Sequence, residues 1–418
     1  MPEPVGQLVT ALFIGLLATA CASRLAAADY LPSDQDFAKV ERGRYLASVA
    51  DCAACHTQHE AAAYAGGRPI ATPFGNVLAA NITPDSQTGI GSWSDAQFDA
   101  AVRRGRAPDG TRLYPAMPFP YYARMTQDDV LAIRAFLNTL PPVHHAVQSD
   151  QLPFPFDIRA SMAVWDALYF DPGPFKPNPG KSAQWNRGAY LVLGPGHCGA
   201  CHTPKTALGG DRKQQQLQGY SVQGWFAPDI SGDSDLGLGH WSAADVVAYL
   251  RTGHNRIAAA SGPMGEEVAD SSSRMTDADL EAIALYLKDQ PGGTPSTKPL
   301  GSGDPQMVAG GAIYRDLCSA CHAPDGSGVA YLIPNLALSS SVASREPTSI
   351  LRVVIHGAQS VATADEPTAP AMPAFGWQLT DAQIAAVTTF IRNSWGHAAP
   401  ALTAGEVHKA RSLSSNGG

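Results

Sequence analysis

The pentapeptide Cys-x-x-Cys-His occurs three times, at Cys52-Cys55-His56, Cys198-Cys201-His202 and Cys318-Cys321-His322. Two thiols one helical turn apart can each form a thioether to one vinyl group of a haem, and the imidazole that follows then lies beneath the iron. A zinc site would need two Cys pairs converging on one ion, and a dithiol redox pair has no use for the adjacent His. The spacing therefore points to three covalently bound haem c groups, each with a proximal His as axial iron ligand. Six of the seven cysteines fall inside the motifs and only Cys21 is left over. No pair remains for a structural disulfide.

The surroundings of the motifs repeat as well, which marks a duplicated module. Tyr45, Tyr190 and Tyr314 lie on helices that run into the Cys pairs. Beyond each motif a short helix is opened by Ser94, Ser242 or Thr348 and closed by Gly105, Gly253 or Gly357, the expected cap residues. A loop then leads to Met117, Met264 or Met372. A last helix follows, opened by Thr126, Thr276 or Thr380, with Asp129, Asp279 or Gln383 in capping-box register. Its apolar residues recur on one face: Val130, Ile133 and Leu137; Leu280, Ile283 and Leu287; Ile384, Val387 and Ile391. This order predicts a mostly α fold of three tandem class I-like cytochrome c domains, over 35–145, 183–290 and 307–397. Pro/Gly-rich linkers over 146–182 and 291–306 join them, and a disordered tail covers 398–418.

The repeat sorts the methionines. Met125 and Met275 precede the capping Thr of the last helix, where the third module has Leu379, and fit the apolar staple that packs on Val130, Leu280 and Ile384. Met117, Met264 and Met372 recur as Met, each beside proline, and are read as the distal axial ligands of the haem irons. Iron held by His and Met is six-coordinate and closed to oxygen or peroxide, so the expected chemistry is electron transfer and no catalytic residue is assigned. Trp93 and Trp241, before the short helices, are read as packing beside haem. His59, His197, His254 and His356 do not recur and are read as solvated or capping. Arg68, Arg103, Arg251 and Arg352 are candidates to pair with haem propionates.

A formal charge of −8 and the lack of a Lys/Arg run exclude nucleic acid as a partner. Val5 to Ala20 is the one long apolar run; it fits the core of a signal peptide over 1–28, although it lacks a leading Lys or Arg. Two processing outcomes compete, lipidation of Cys21 after Ala18-Thr19-Ala20 and an ordinary cut after Ala26-Ala27-Ala28. Both place the mature chain on the periplasmic side of a bacterial inner membrane, peripheral or lipid-anchored. In the first linker, Ile158, Met162, Trp165 and Tyr169 share one helical face, read as packing between the first two modules, with a docking face as the alternative.

Several phrases carry a family resemblance: Thr72-Pro73-Phe74-Gly75, Asn81-Ile82-Thr83-Pro84-Asp85, Thr88-Gly89-Ile90-Gly91 and Tyr114-Pro115-Ala116-Met117-Pro118 in module one. Gly224-Trp225-Phe226-Ala227-Pro228 and Ser261-Gly262-Pro263-Met264 continue it in module two, and Pro334-Asn335-Leu336 and Pro370-Ala371-Met372-Pro373 in module three. Across nearly the whole mature chain the sequence resembles the three-haem cytochrome c subunit of membrane-associated bacterial dehydrogenases of the alcohol, gluconate, sorbitol or fructose type. The resemblance implies a dehydrogenase catalytic subunit carrying flavin, a quinone cofactor or molybdopterin as partner. It also implies ubiquinone or a terminal oxidase as electron acceptor, at the membrane surface. The rivals are a free periplasmic multihaem shuttle and a haem peroxidase or oxidase, the latter needing one open iron position. Met264→Ala is expected to open the second iron to carbon monoxide with haem attachment intact. A carbon monoxide difference spectrum no larger than the parent's would remove Met264 from the ligand set.

Overall fold

The computed structural model describes residues 36–148, 150–292 and 298–414; the expected signal segment and Cys21 lie outside them. Module one contains α1 (Phe37–Val49), α2 (Cys52–His56), α3 (Asp95–Arg104), α4 (Phe119–Tyr122) and α5 (Gln127–Leu137), and α6 (Met162–Tyr169) lies in the linker. Module two repeats the order as α7 (Ala183–Leu193), α8 (Gly199–His202), α9 (Ala243–Thr252), α10 (Pro263–Asp270) and α11 (Asp277–Lys288). Module three has α12 (Pro305–Leu317), α13 (Ser319–His322), α14 (Ser340–Ala343), α15 (Thr348–His356) and α16 (Asp381–Ile391), and is followed by α17 (Ala404–Ser414). The fold is mostly α, as the pattern predicts. Among the described residues no helix is long and apolar enough to cross a membrane.

In each module the helix ahead of the haem motif crosses the last helix, and a glycine sits at the crossing. A methyl group on Gly43, Gly188 or Gly310 would overlap the backbone carbonyl of Ala132, Ala282 or Ala386. The two backbones approach that closely because no Cβ intervenes. The expected staples form here too: Met125 is buried with Val130, Met275 with Leu280, and Leu379 with Ile384. Trp93 and Trp241 pack on the cores of their modules.

Small antiparallel hairpins, unforeseen in the sequence, follow the first two motifs. β1 (Pro69–Thr72) pairs with β2 (Gly75–Leu78), and β3 (Gln218–Val222) with β4 (Trp225–Asp229). The phrase Thr72-Pro73-Phe74-Gly75 is the first hairpin's turn, closed by the Thr72 hydroxyl donating to the Gly75 carbonyl at 2.7 Å. In module three the hairpin of β5 (Ala358–Gln359) and β6 (Ala371–Met372) comes after the short helix instead.

Ser94 and Ser242 cap α3 and α9 with complete capping boxes, and Gly105 and Gly253 end them in left-handed conformation. Thr348 departs from this plan. It lies inside α15, and the Glu346 carboxylate accepts its amide at 3.1 Å, so a carboxylate does the capping. At the last helix only Thr380 closes a full box, with Gln383. Thr126 and Thr276 accept the amides of Asp129 and Asp279, but those carboxylates turn outward to arginine and tyrosine partners.

Modules one and two share a core: Val49 is buried in the cluster of module two, with Tyr45 against it. The linker helix α6 reinforces the joint, as its Met162–Trp165–Tyr169 face predicts. Trp165 is buried, donates to the Leu208 carbonyl at 2.9 Å and meets the rings of Phe119 and Tyr169. Ile158, expected on the same face, is corrected: it lies ahead of the helix and stays 46% exposed, while Val164 and Leu168 on the far face are 63% and 60% exposed. Module three docks on module two through backbone bonds from Tyr331 to Asn255, Asn335 to Ile257 and Val361 to Ala260.

The expected disorder of 398–418 is corrected over its described part. Leu402 and Val407 are buried in the core of module three, and α17 carries Arg411 to the Leu379 carbonyl at 2.7 Å. That bond has counterparts in the other modules: Arg103 reaches the Met125 carbonyl and Arg251 the Met275 carbonyl, each from its own short helix. The corresponding place in α15 is Ile355, so the tail supplies the missing guanidinium. Arg411 also donates to the Gly376 carbonyl and to Asp381. Arg411→Ala is expected to destabilise module three by about 2 kcal/mol, because charged hydrogen bonds to partly buried acceptors are lost; denaturant unfolding of the full chain measures it.

Candidate haem sites

The three His side chains share one geometry. Each Cys-x-x-Cys-His folds as a short helix, and the imidazole Nδ1 meets a backbone carbonyl: His56 that of Ala80 at 2.6 Å, His202 that of Pro228 at 2.6 Å, His322 that of Pro334 at 3.2 Å. With Nδ1–H donated to the carbonyl, Nε2 keeps its lone pair for a metal. Burial lowers the pKa of all three rings, which favours the neutral, ligating form.

An acidic or amide residue follows each of those carbonyls and pins it, a device missed in the sequence. Asn81 accepts the Thr83 amide, Asp229 the Ser231 amide and Asn335 the Leu338 amide, at 3.0, 2.7 and 3.0 Å. Asn81 also donates to Thr88 and to the Val143 carbonyl. Such side-chain-to-backbone turns hold a loop rigid without regular structure. The signal was present in Asn81-Ile82-Thr83 and Pro334-Asn335-Leu336, but only the fold shows the preceding carbonyl turned to the imidazole.

The thiols do not suit a reactive redox pair. Burial pushes Cys52 up to about 12 and Cys55 up to about 11, with Asp51 adding to both. Burial likewise raises Cys198 to about 12, with Glu267 adding, and Cys318 to about 11, with Cys321 adding. A catalytic dithiol needs the opposite shift. Among the described residues no three His, Cys, Asp or Glu side chains converge as a zinc site requires. Two thiols on one turn, a neutral braced imidazole and an apolar surround fit haem c.

The expected methionines occupy three different local structures. Met117 lies in a loop and borders the core of module one together with Cys52 and Trp93. Met264 is in the first turn of α10, just after Gly262, whose positive φ of 58° lets the chain pass the face of Trp225. Met372 is in β6, at the edge of the module three core.

Of the other sequence candidates, His59 and His356 are exposed, as expected. His197 and His254 are not, which corrects the solvated half of that reading; His254 takes the capping role, its Nδ1 meeting the carbonyl of Thr252 at the end of α9 at 3.0 Å. His197 packs against Tyr122 of module one with ring centroids 5.7 Å apart, and His254 is 1% exposed beside the module three contact at Asn255. Arg103 and Arg251 are taken up by the staple carbonyls, and Arg352 lies over the Trp225 ring. Arg68 joins modules, donating to the Ala54 carbonyl at 2.5 Å and to Glu266 at 2.8 Å.

Acidic groups gather where the first two motifs meet. Burial raises Asp51 to about 8, with Glu267 the next cause, and Arg68 opposes the shift. Burial also raises Glu267 to about 7, against a 2.9 Å hydrogen bond from Ser272. Asp51 adopts a left-handed conformation directly before Cys52, and one of its buried oxygens has no protein partner.

The sequence profile of the family described as Cytochrome c matches residues 40–141, 187–291 and 307–395, one match per module. The chain is 41% identical to the cytochrome c subunit of a quinone-type alcohol dehydrogenase from Gluconacetobacter polyoxogenes, over 90% of this chain and 85% of the relative. It is 40% identical to the gluconate 2-dehydrogenase cytochrome c subunit of Pantoea cypripedii, over 96% and 94%. With the fructose dehydrogenase cytochrome subunit of Gluconobacter japonicus the identity is 34%, over 91% and 84%. Three braced histidines, three thiol pairs and three profile matches agree: the chain belongs to the cytochrome c family and carries three covalent haem c groups.

Proposed function

We propose that this chain is the electron-transfer subunit of a dehydrogenase complex on the periplasmic side of the inner membrane. It passes electrons from a catalytic subunit oxidising an alcohol, sugar, sugar acid or aldehyde to ubiquinone. The observation that carries this reading is the threefold brace of an imidazole on a backbone carbonyl within one continuous body, together with relatives named as cytochrome subunits of such dehydrogenases. Each haem, when bound, supplies a one-electron ferric/ferrous couple.

The chain's residues keep that couple free of side chemistry. Cys52 and Cys55, Cys198 and Cys201, and Cys318 and Cys321 tether the three haems; His56, His202 and His322 are the proximal ligands, and Met117, Met264 and Met372 the distal ones. A thioether ligand would favour the ferrous state of a bound haem and leave no place for oxygen or peroxide. Support for the methionines is their recurrence between the short helix and the last helix, and the burial of Met125 and Met275 as packing residues. Membrane association is peripheral or through a lipid on Cys21.

Membranes extracted in detergent provide the test. The chain is expected to purify with a large dehydrogenase subunit, its haems reduced by that subunit's substrate and reoxidised by a ubiquinone analogue. Recovery as a lone monomer from the soluble fraction would favour the shuttle instead, and a high-spin haem band in the oxidised spectrum would favour the peroxidase. In the same preparation Cys198→Ala/Cys201→Ala is expected to lower covalent haem by one equivalent, read by pyridine haemochrome, and to cut quinone reduction sharply. Undiminished quinone reduction would take the second haem out of the path.

A further inference from the structure

The sequence aligned Tyr45, Tyr190 and Tyr314, but the fold separates them. Tyr45 and Tyr190 each stand two residues after the crossing glycine, whereas Tyr314 stands four after Gly310 and Ala312 takes the corresponding place. Tyr314 turns inward and donates to the Ala323 carbonyl of its own module at 2.7 Å.

The other two tyrosines reach across a domain boundary. The Tyr45 hydroxyl donates to Asp279 Oδ2 at 2.5 Å and accepts the Thr276 amide at 3.3 Å, both in module two. The Tyr190 hydroxyl donates to Asp129 Oδ2 and accepts the Thr126 amide at 3.4 Å, both in module one. Each aspartate is also held by an arginine of its own module, Asp129 by Arg42 and Asp279 by Arg187, each one turn before the tyrosine. The two pads are copies related by an approximate two-fold axis, the self-complementary arrangement of a symmetric dimer written into one chain. Burial would raise the Asp279 carboxyl, but hydrogen bonds from Arg187 and Tyr45 outweigh it and hold the group ionised. Charge-assisted bonds of this kind fix geometry more tightly than neutral ones.

Module three lacks both halves of the device. Gln383 replaces the aspartate and closes its own capping box with Thr380, and Ala312 replaces the tyrosine. Its docking on module two uses loop backbone bonds, Ser349 with Phe226, Arg352 over the Trp225 ring and Leu338 against the module two core, with no tyrosine–aspartate pad among the described residues.

The pads flank the first two haem motifs. α1 and α7 run from Tyr45 and Tyr190 into Cys52 and Cys198. Between them the Tyr122 hydroxyl donates to the Ala50 carbonyl while its ring meets His197, and Ser271 donates to the Val49 carbonyl at 3.2 Å. We propose that Tyr45–Asp279 and Tyr190–Asp129 are positioning residues that lock haems one and two into a rigid pair. That pair exchanges electrons as a unit, with haem three as a separately docked station. Electron exchange falls steeply when cofactors are misplaced, so a joint fixed at two points on either side of the motifs sets its rate.

This inference rests on the three-haem assignment above, and the test keeps the two apart. Tyr45→Phe/Tyr190→Phe in the full haem-loaded chain removes both cross-domain donors without changing charge, and Tyr314→Phe is the matched control in module three. Electron paramagnetic resonance of the oxidised protein reads coupling between irons, and flash reduction reads exchange between them. The parent is expected to show one coupled pair among its three haems. The double variant should keep three covalent haems, lose that coupling and slow exchange within the pair, while the control leaves both unchanged. Parental coupling and exchange in the double variant, or an equal loss in the control, would overturn the proposal. Should the double variant fail to load haem, the single Tyr45→Phe and Tyr190→Phe chains decide: slowed exchange supports it and parental exchange overturns it. Overturned positioning in a chain still reduced by its dehydrogenase leaves the electron-transfer reading intact.

Discussion

An imidazole can serve an iron on one nitrogen only if the other is committed elsewhere, and in this chain the commitment is to a main-chain carbonyl. The bond from His56 to Ala80, repeated by His202 with Pro228 and His322 with Pro334, organises everything around it. It requires a loop to return over the Cys motif and a side chain to pin that loop, which Asn81, Asp229 and Asn335 do. It also requires a rigid base. The helix crossings at Gly43, Gly188 and Gly310 provide one, because the segment carrying the Cys pair leaves directly from a helix clamped on its neighbour.

The same scaffold is used in two ways at its N3 position. Where that residue is aspartate and the first helix of the neighbouring module offers tyrosine, the carboxylate abandons the capping box and binds across the domain boundary. Where it is glutamine, the side chain folds back on its own threonine and the module docks on its neighbour through other contacts. Gln383 closes the local ring, whereas Asp129 and Asp279 gain more from an arginine and a phenol. The cost of the tight joint is a group of buried acids, Asp51 and Glu267, whose pKa values rise to about 8 and about 7 as burial dominates. Arg68 crosses the same joint and offsets part of that repulsion.

Module three shows how a repeat drifts while its geometry holds. Its short helix lost the arginine that reaches the staple carbonyl, and α17 returns from beyond the module to replace it with Arg411. The replacement explains why a segment of polar and small residues is ordered. Leu402 and Val407 are buried in the module three core, and the guanidinium, bound to two carbonyls and to Asp381, adds directional bonds.

Local chemistry wrote much of this molecule plainly. The Cys and His spacing, the Ser and Gly caps of α3 and α9, the staple methionines and the inward face of α6 all depend on neighbours within a turn or two, and linear order is enough to read them. The module joints were illegible because their partners lie far apart in sequence: Tyr45 with Asp279, Tyr190 with Asp129, Arg411 with Leu379. Tyr314 looked equivalent to Tyr45 because each stands on the helix that leads into a Cys pair, although it lies four residues before Cys318 where Tyr45 lies seven before Cys52. It is not equivalent when measured from the glycine at the helix crossing, and that crossing exists only once the two helices have met. Residue type and spacing thus specified what each module binds. Which modules are locked together followed from packing, since a side chain's choice between its own cap and a neighbour's hydroxyl depends on what the folded chain brings within reach.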